Sequence, residues 1–173
     1  ELHHNGYSIS EIRELIDSKE SLELSQQLIA NIKKGRSFLE SFIERADSPI
    51  YGINTGFGSL CDTEIAPDDL GKLQENLVKS HACGLGDIVD PEIVKYMLVL
   101  KVLGLSKGNS GVKLQTVEAL LDLYNSGVLP VVYEQGSLGA SGDLAPLAHL
   151  SLPLLGLGEV HYNGEIVSAR EAL

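Results

Sequence analysis

The sequence predicts a mainly α-helical fold with a small β-hairpin. Three observations lead there. Apolar residues recur at helical spacing through most of the chain, capping residues or prolines precede those runs, and Asn163-Gly164 divides two β-prone runs near the end. At 173 residues the chain has the length of one domain, and residues 1–173 are read as a single unit.

Ser8 or Ser10 caps a short helix over "EIRELIDS", and Ser21 caps another over "LELSQQLIANIKK". Gly35 is expected to break or bend that helix before "RSFLESFIERA" continues it, and Ser48-Pro49 ends it. "YGINTGFG", residues 51–58, reads as a loop with a short extended start. Pro67 opens a helix over "PDDLGKLQENLVKSHA", with Gly84 and Gly86 beyond its end. Asp90-Pro91 repeats the start signal for "EIVKYMLVLKVLGLSK", which is apolar on nearly every face from Ile93 to Leu105 and therefore central. Val117, Leu120, Leu121 and Tyr124 mark the next helix, closed by Gly127. "LAPLAHLSLPLL" is helical at least to Ser151, with Pro153 as a kink or stop. "EVHYNGEIV" is the hairpin, and "SAREAL" reads as a capped helix just beginning, as in the N-terminal part of a longer protein.

Composition narrows the function classes. A net charge of −11 repels nucleic-acid phosphates and anionic membranes, so neither is an expected partner. Cys61 and Cys83 form no C-x-x-C and no disulfide-like spacing, which suits a reducing compartment. No signal-peptide pattern is visible, and the apolar stretch at 93–105 carries Lys95 and Lys101, so cytoplasm is the expected location. His3-His4 reads as a surface pair, His149 as structural and His161 as part of the hairpin, so no metal site is assigned.

The chemistry concentrates in "GSLGASGDLAPLAHL", residues 136–150. Gly136, Gly139 and Gly142 free the backbone, Asp143 is placed to cap the following helix, and Pro146 falls in its first turn. A phosphate-binding loop would end in Gly-Lys-Ser/Thr, whereas this one ends in Gly142-Asp143. Leu138 stands where a dinucleotide fingerprint has its second glycine, and "GASG" is not the G-x-S-x-G of a nucleophile elbow. A purely structural turn stays open. So does a second chemistry: the Gly142 amide nitrogen closing on the Ala140 carbonyl carbon. Loss of water from that ring and from the Ser141 side chain leaves a methylidene conjugated to an imidazolone. Side chains offer nucleophiles, acids and bases, but no comparable carbon electrophile.

This segment closely resembles the signature of the aromatic amino-acid ammonia-lyases, whose cofactor is 4-methylidene-imidazol-5-one formed from Ala-Ser-Gly. "YGINTGFG", "LQENLVKSHACGLG" at 73–86 and "LSKGNSGV" at 105–112 are similar to family segments in family order, from about Tyr51 to Val167. The sequence departs from the family pattern at Leu103, Asn109 and Tyr133. The resemblance implies the N-terminal part of the helical ammonia-lyase fold, a cofactor built from Ala140, Ser141 and Gly142 with Asp143 assisting, and elimination of ammonia to an α,β-unsaturated acid. It implies Tyr51 as the base for the β-proton, although a phenol is mostly protonated at neutral pH and needs help in that role. His81 shares a helix stripe with Leu70, Leu73 and Leu77, so its ring faces inward, which on spacing alone is as expected of a core histidine. Ser80-His81 matches the substrate-discriminating pair and resembles the histidine-specific members, which implies L-histidine as substrate and urocanate as product. An imidazole can donate to or accept from the substrate's own imidazole. Another aromatic amino acid, an aminomutase outcome, or an inert fragment are the alternatives. The family further implies a homotetramer whose later segments and neighbouring subunits complete the site. The 173-residue piece alone is therefore expected to show negligible turnover, and whether its ring forms stays open.

Overall fold

The structure, a computed structural model, describes residues 1–136, 138–139 and 142–173, without the side chains at 59, 67, 138, 139, 142 and 143. Helices dominate it, as the periodicity predicts. They are α1 (Ile9–Asp17), α2 (Gln26–Ile43), α3 (Leu70–His81), α4 (Pro91–Leu105), α5 (Leu114–Asn125), α6 (Ala145–Ser151) and α7 (Ala169–Ala172). Ser8 caps α1 in a full capping box with Glu11.

α2 departs from expectation at both its start and its middle. Its cap is Ser25, not Ser21, because Leu22 and Leu24 are buried in an extended run. Leu24 bridges Leu2, and the Asn125 carboxamide bonds both the N–H and the C=O of Leu22, at 2.8 and 2.9 Å. Gly35 does not break the helix, which continues to Ile43. Its missing side chain serves packing instead: a β-carbon there would lie 1.9 Å from the Gly108 carbonyl oxygen. Gly108, at φ +80, in turn approaches the Asn31 carbonyl, so α2 and the 108 turn meet backbone to backbone. Gly35→Ala must push them apart and is expected to destabilise the chain by about 1–3 kcal/mol, as overpacking does. A urea midpoint unchanged from wild type would contradict this contact.

α4 is the centre of the core. Val94, Leu98, Val99 and Val102 are fully buried, against Val117, Leu120, Leu121 and Leu123 of α5 and Leu28 and Ile32 of α2. Each such side chain contributes about 1.5–3 kcal/mol relative to exposure. The apolar run is not buried all round: Ile93 and Leu100 are about half exposed. Pro67–Asp69 forms a single 3₁₀ turn and α3 proper begins at Leu70.

The expected hairpin is β6 (Glu159–Tyr162) with β7 (Glu165–Ser168), turning through Asn163 and Gly164, both at positive φ. Sequence periodicity missed the shorter strands. β2 (Leu129–Pro130) adds to β6, and β1 (Leu85–Ile88) pairs antiparallel with β3 (Tyr133–Gln135). β4 (Leu138–Gly139) pairs with β5 (Gly142–Asp143). Runs of two to four residues carry too few alternations to stand out.

Candidate active site

α3 and α6 pack side by side and carry one wall each of a cavity of about 610 Å³. Its lining includes Tyr51, Phe57, His81, Leu144, Leu147 and Ser151. Leu70, Leu73, Leu77 and His81 are half-buried along one stripe of α3, as their spacing predicts. The His81 Nδ1 lies 2.8 Å from the Leu77 carbonyl oxygen, which only accepts, so Nδ1 carries the proton. In the neutral ring Nε2 then keeps the lone pair. Ser80 is exposed and outside the described lining; its hydroxyl bonds Leu77 O at 3.0 Å and lies 3.1 Å from His81 Nδ1.

The loop bearing Tyr51 differs from its expected extended start. Residues 51–54 turn, because the Asn54 carboxamide accepts the Ile50 N–H at 2.6 Å and Gly52 takes φ +75. Buried Thr55 bridges Glu64, and Ile65 N–H bonds Asn54 O at 2.8 Å, which ties the loop into the chain before α3. Tyr51 itself is 62% exposed and meets Phe57 edge-on, ring centres 5.8 Å apart.

Ala140 and Ser141 lie outside the described residues. Around them, Gly139 pairs with Gly142 and Leu138 with Asp143. Asp143, whose side chain lies outside the described residues, does not occupy the N-cap position of the following helix. It belongs to β5, and the N-cap of α6 is Leu144, without a side-chain cap bond. Strand pairing up to Asp143 displaces the helix start by one residue. Pro146 does sit in the first turn.

Behind the cavity, His149 is 8% exposed. Its Nε2 accepts the Gly84 N–H at 3.0 Å, and its ring meets Tyr133 edge-on at 5.1 Å. Burial holds this imidazole below the ordinary histidine value. The unfolded chain therefore binds the proton more readily, so the stabilisation is complete above a pH of about 6.5 and is lost as pH falls through the lower folded value. The expected result is a urea midpoint that drops on acidification from neutrality, with a shallower drop in His149→Gln. Equal slopes in the two proteins would remove His149 as the cause.

A second cleft of about 710 Å³, between α2 and the turn at 107–111, is lined by Lys34, Lys107 and Asn109 and by none of the predicted site residues among those described. Tyr51 and His81 line the α3–α6 cavity instead. Leu144, Leu147 and Ser151 were missed as lining residues, though their spacing along α6 puts them on one face. Among the described residues no helix is long and apolar enough to cross a membrane.

Helices α3 and α6 bound this cavity, and the short β4–β5 pair leads into α6. A family model for aromatic amino acid lyases matches residues 7–173, and the chain belongs to that family. Within it, the chain is 46% identical to a protein named histidine ammonia-lyase from Shewanella pealeana, over 96% of this chain and 32% of the relative. The histidine ammonia-lyase structure from Trypanosoma cruzi superposes with a TM-score of 0.81 at 36% identity, covering 93% of this chain and 32% of that one. The phenylalanine aminomutase of Pantoea agglomerans superposes at 0.89 with 30% identity, covering 96% and 32%. The chain spans about a third of the length of the relatives it matches.

Proposed function

We propose that the complete enzyme eliminates ammonia from L-histidine to give urocanate, with residues 1–173 as its N-terminal domain. The observation that carries this reading is that Tyr51 and His81, from separate segments, line one cavity with α6, the helix that follows the Ala140-Ser141-Gly142 segment. The similarity to relatives named histidine ammonia-lyase supports the same substrate.

Gly139 and Gly142 face each other across Ala140 and Ser141, and that pairing suits a main chain that closes on itself. The resulting methylidene-imidazolone supplies an electron-poor alkene carbon, which makes the substrate's amino group a better leaving group. Asp143 adjoins the segment and is assigned proton handling during closure. Tyr51, whose ring meets Phe57 edge-on, removes the β-proton through its hydroxyl. His81 recognises the substrate's side chain: with Nδ1–H committed to Leu77 O, Nε2 accepts an imidazole N–H from the ligand. Ser80 acts through His81, whose Nδ1 its hydroxyl approaches. Leu144 and Leu147 give the cavity an apolar wall beside them.

The complete enzyme is proposed to be a cytoplasmic homotetramer acting on a small amino acid, and the 173-residue chain alone to be inactive. The test is product analysis with the complete enzyme and L-histidine, L-tyrosine and L-phenylalanine. Urocanate from histidine alone is the expected outcome. Cinnamate-type products refute the substrate, and a β-amino acid of unchanged mass refutes the lyase outcome in favour of the aminomutase chemistry named in the Pantoea neighbour.

A further inference from the structure

We infer that His149 is a positioning residue for cofactor formation, pinning both ends of the 136–144 loop to the exit of α3; this rests on the proposed reading of Ala140-Ser141-Gly142. Three segments meet at its ring. Tyr133 belongs to β3, which runs into the loop; His149 belongs to α6, which leaves it; Gly84 lies just beyond Ala82 and Cys83 after the helix that ends at His81. The ring contacts the first edge-on at 5.1 Å and accepts the N–H of the last at 3.0 Å.

The fit admits little slack. A β-carbon at Gly84 would lie 3.0 Å from both His149 Nε2 and Tyr133 Cβ. The imidazole is 8% exposed, so its lone pair has little access to water in place of the Gly84 N–H, and losing that bond leaves a buried acceptor unpaired. A plain core histidine can be satisfied by hydrogen-bond partners from any part of the fold. This one joins the incoming strand, the outgoing helix and the wall of the substrate cavity.

Ring closure is the step that such a clamp serves. One bond forms, from Gly142 N to the Ala140 carbonyl carbon. The Ala140 oxygen leaves as water with the amide hydrogens of Gly142 and Ser141, and the Ser141 hydroxyl leaves with its α-hydrogen as a second water. Nothing is oxidised or reduced. The barrier depends on how closely a main-chain nitrogen is held to a main-chain carbon, so small displacements of the loop ends cost rate.

The experiment uses the complete polypeptide as wild type, His149→Gln, His149→Asn and His149→Leu. Peptide mass across residues 140–142 at fixed times after synthesis reports closure, and circular dichroism with thermal melting reports folding. Gln carries its carbonyl oxygen to the reach of Nε2, whereas the shorter Asn does not, so Gln is expected to lose two waters at nearly the wild-type rate. Asn and Leu are expected to accumulate the unclosed mass severalfold while still folded. Gly84→Ala, which wedges the same junction, should behave like Asn. Should Leu fail to fold, the comparison of Gln with Asn still decides. Asn closing as fast as wild type overturns the clamp alone. A wild-type chain that retains both waters overturns the cofactor reading, and the clamp with it.

Discussion

Ser141→Ala in the complete enzyme is expected to keep the mass of an unclosed chain and to lose turnover by about 10³-fold or more, the scale of removing a group on which the whole mechanism depends. The reason is chemical rather than structural. Alanine has no hydroxyl to expel, so no methylidene carbon can arise, and the amino group of the substrate stays a poor leaving group. The β4–β5 pairing relies on the main chain of Leu138, Gly139, Gly142 and Asp143, so the substitution leaves the surrounding fold intact. Mass and kcat are measured on the same preparation. A Ser141→Ala enzyme that still releases urocanate at a rate near wild type would sink the proposed mechanism.

Tyr51→Phe is expected to lower kcat by roughly 10²- to 10⁴-fold with a much smaller change in KM, as for loss of a general base. Phenylalanine retains the ring that meets Phe57 edge-on, and the loop is held by Asn54, Thr55 and Ile65 rather than by the phenol. Only the hydroxyl is removed. A KM effect with kcat preserved would instead make Tyr51 a binding residue, and the base would have to come from another group. Loss of cyclisation is not expected, which separates this variant from those at Ser141 and His149.

Much of this was legible in the chain before any coordinates. The stripe Leu70, Leu73, Leu77 and His81 follows from helical spacing, and Asn163-Gly164 turns the hairpin that its dihedral preferences demand. Small residues at 139–142 leave a close main-chain approach open, and the resemblance to the ammonia-lyase signature, not composition, singles out ring closure over a structural turn. Other local signals misled. Gly35 looked like a helix breaker, yet its lack of a β-carbon serves contact with Gly108, distant in sequence. Ser21 looked like a cap, but the extended Leu22–Leu24 run is held by Leu2 and Asn125, and no local rule anticipates either.

Residue order alone determined most of the helices and the hairpin, since these depend on spacing and torsional preference within a few neighbouring residues. The tertiary structure decided which side chains share a space. It brought Tyr51 and His81 to one cavity and closed His149 between Tyr133 and Gly84. Those juxtapositions are made by burial of α4 and the packing of α3 on α6, long-range contacts whose free energy is set by the whole core and by no single stretch of the chain.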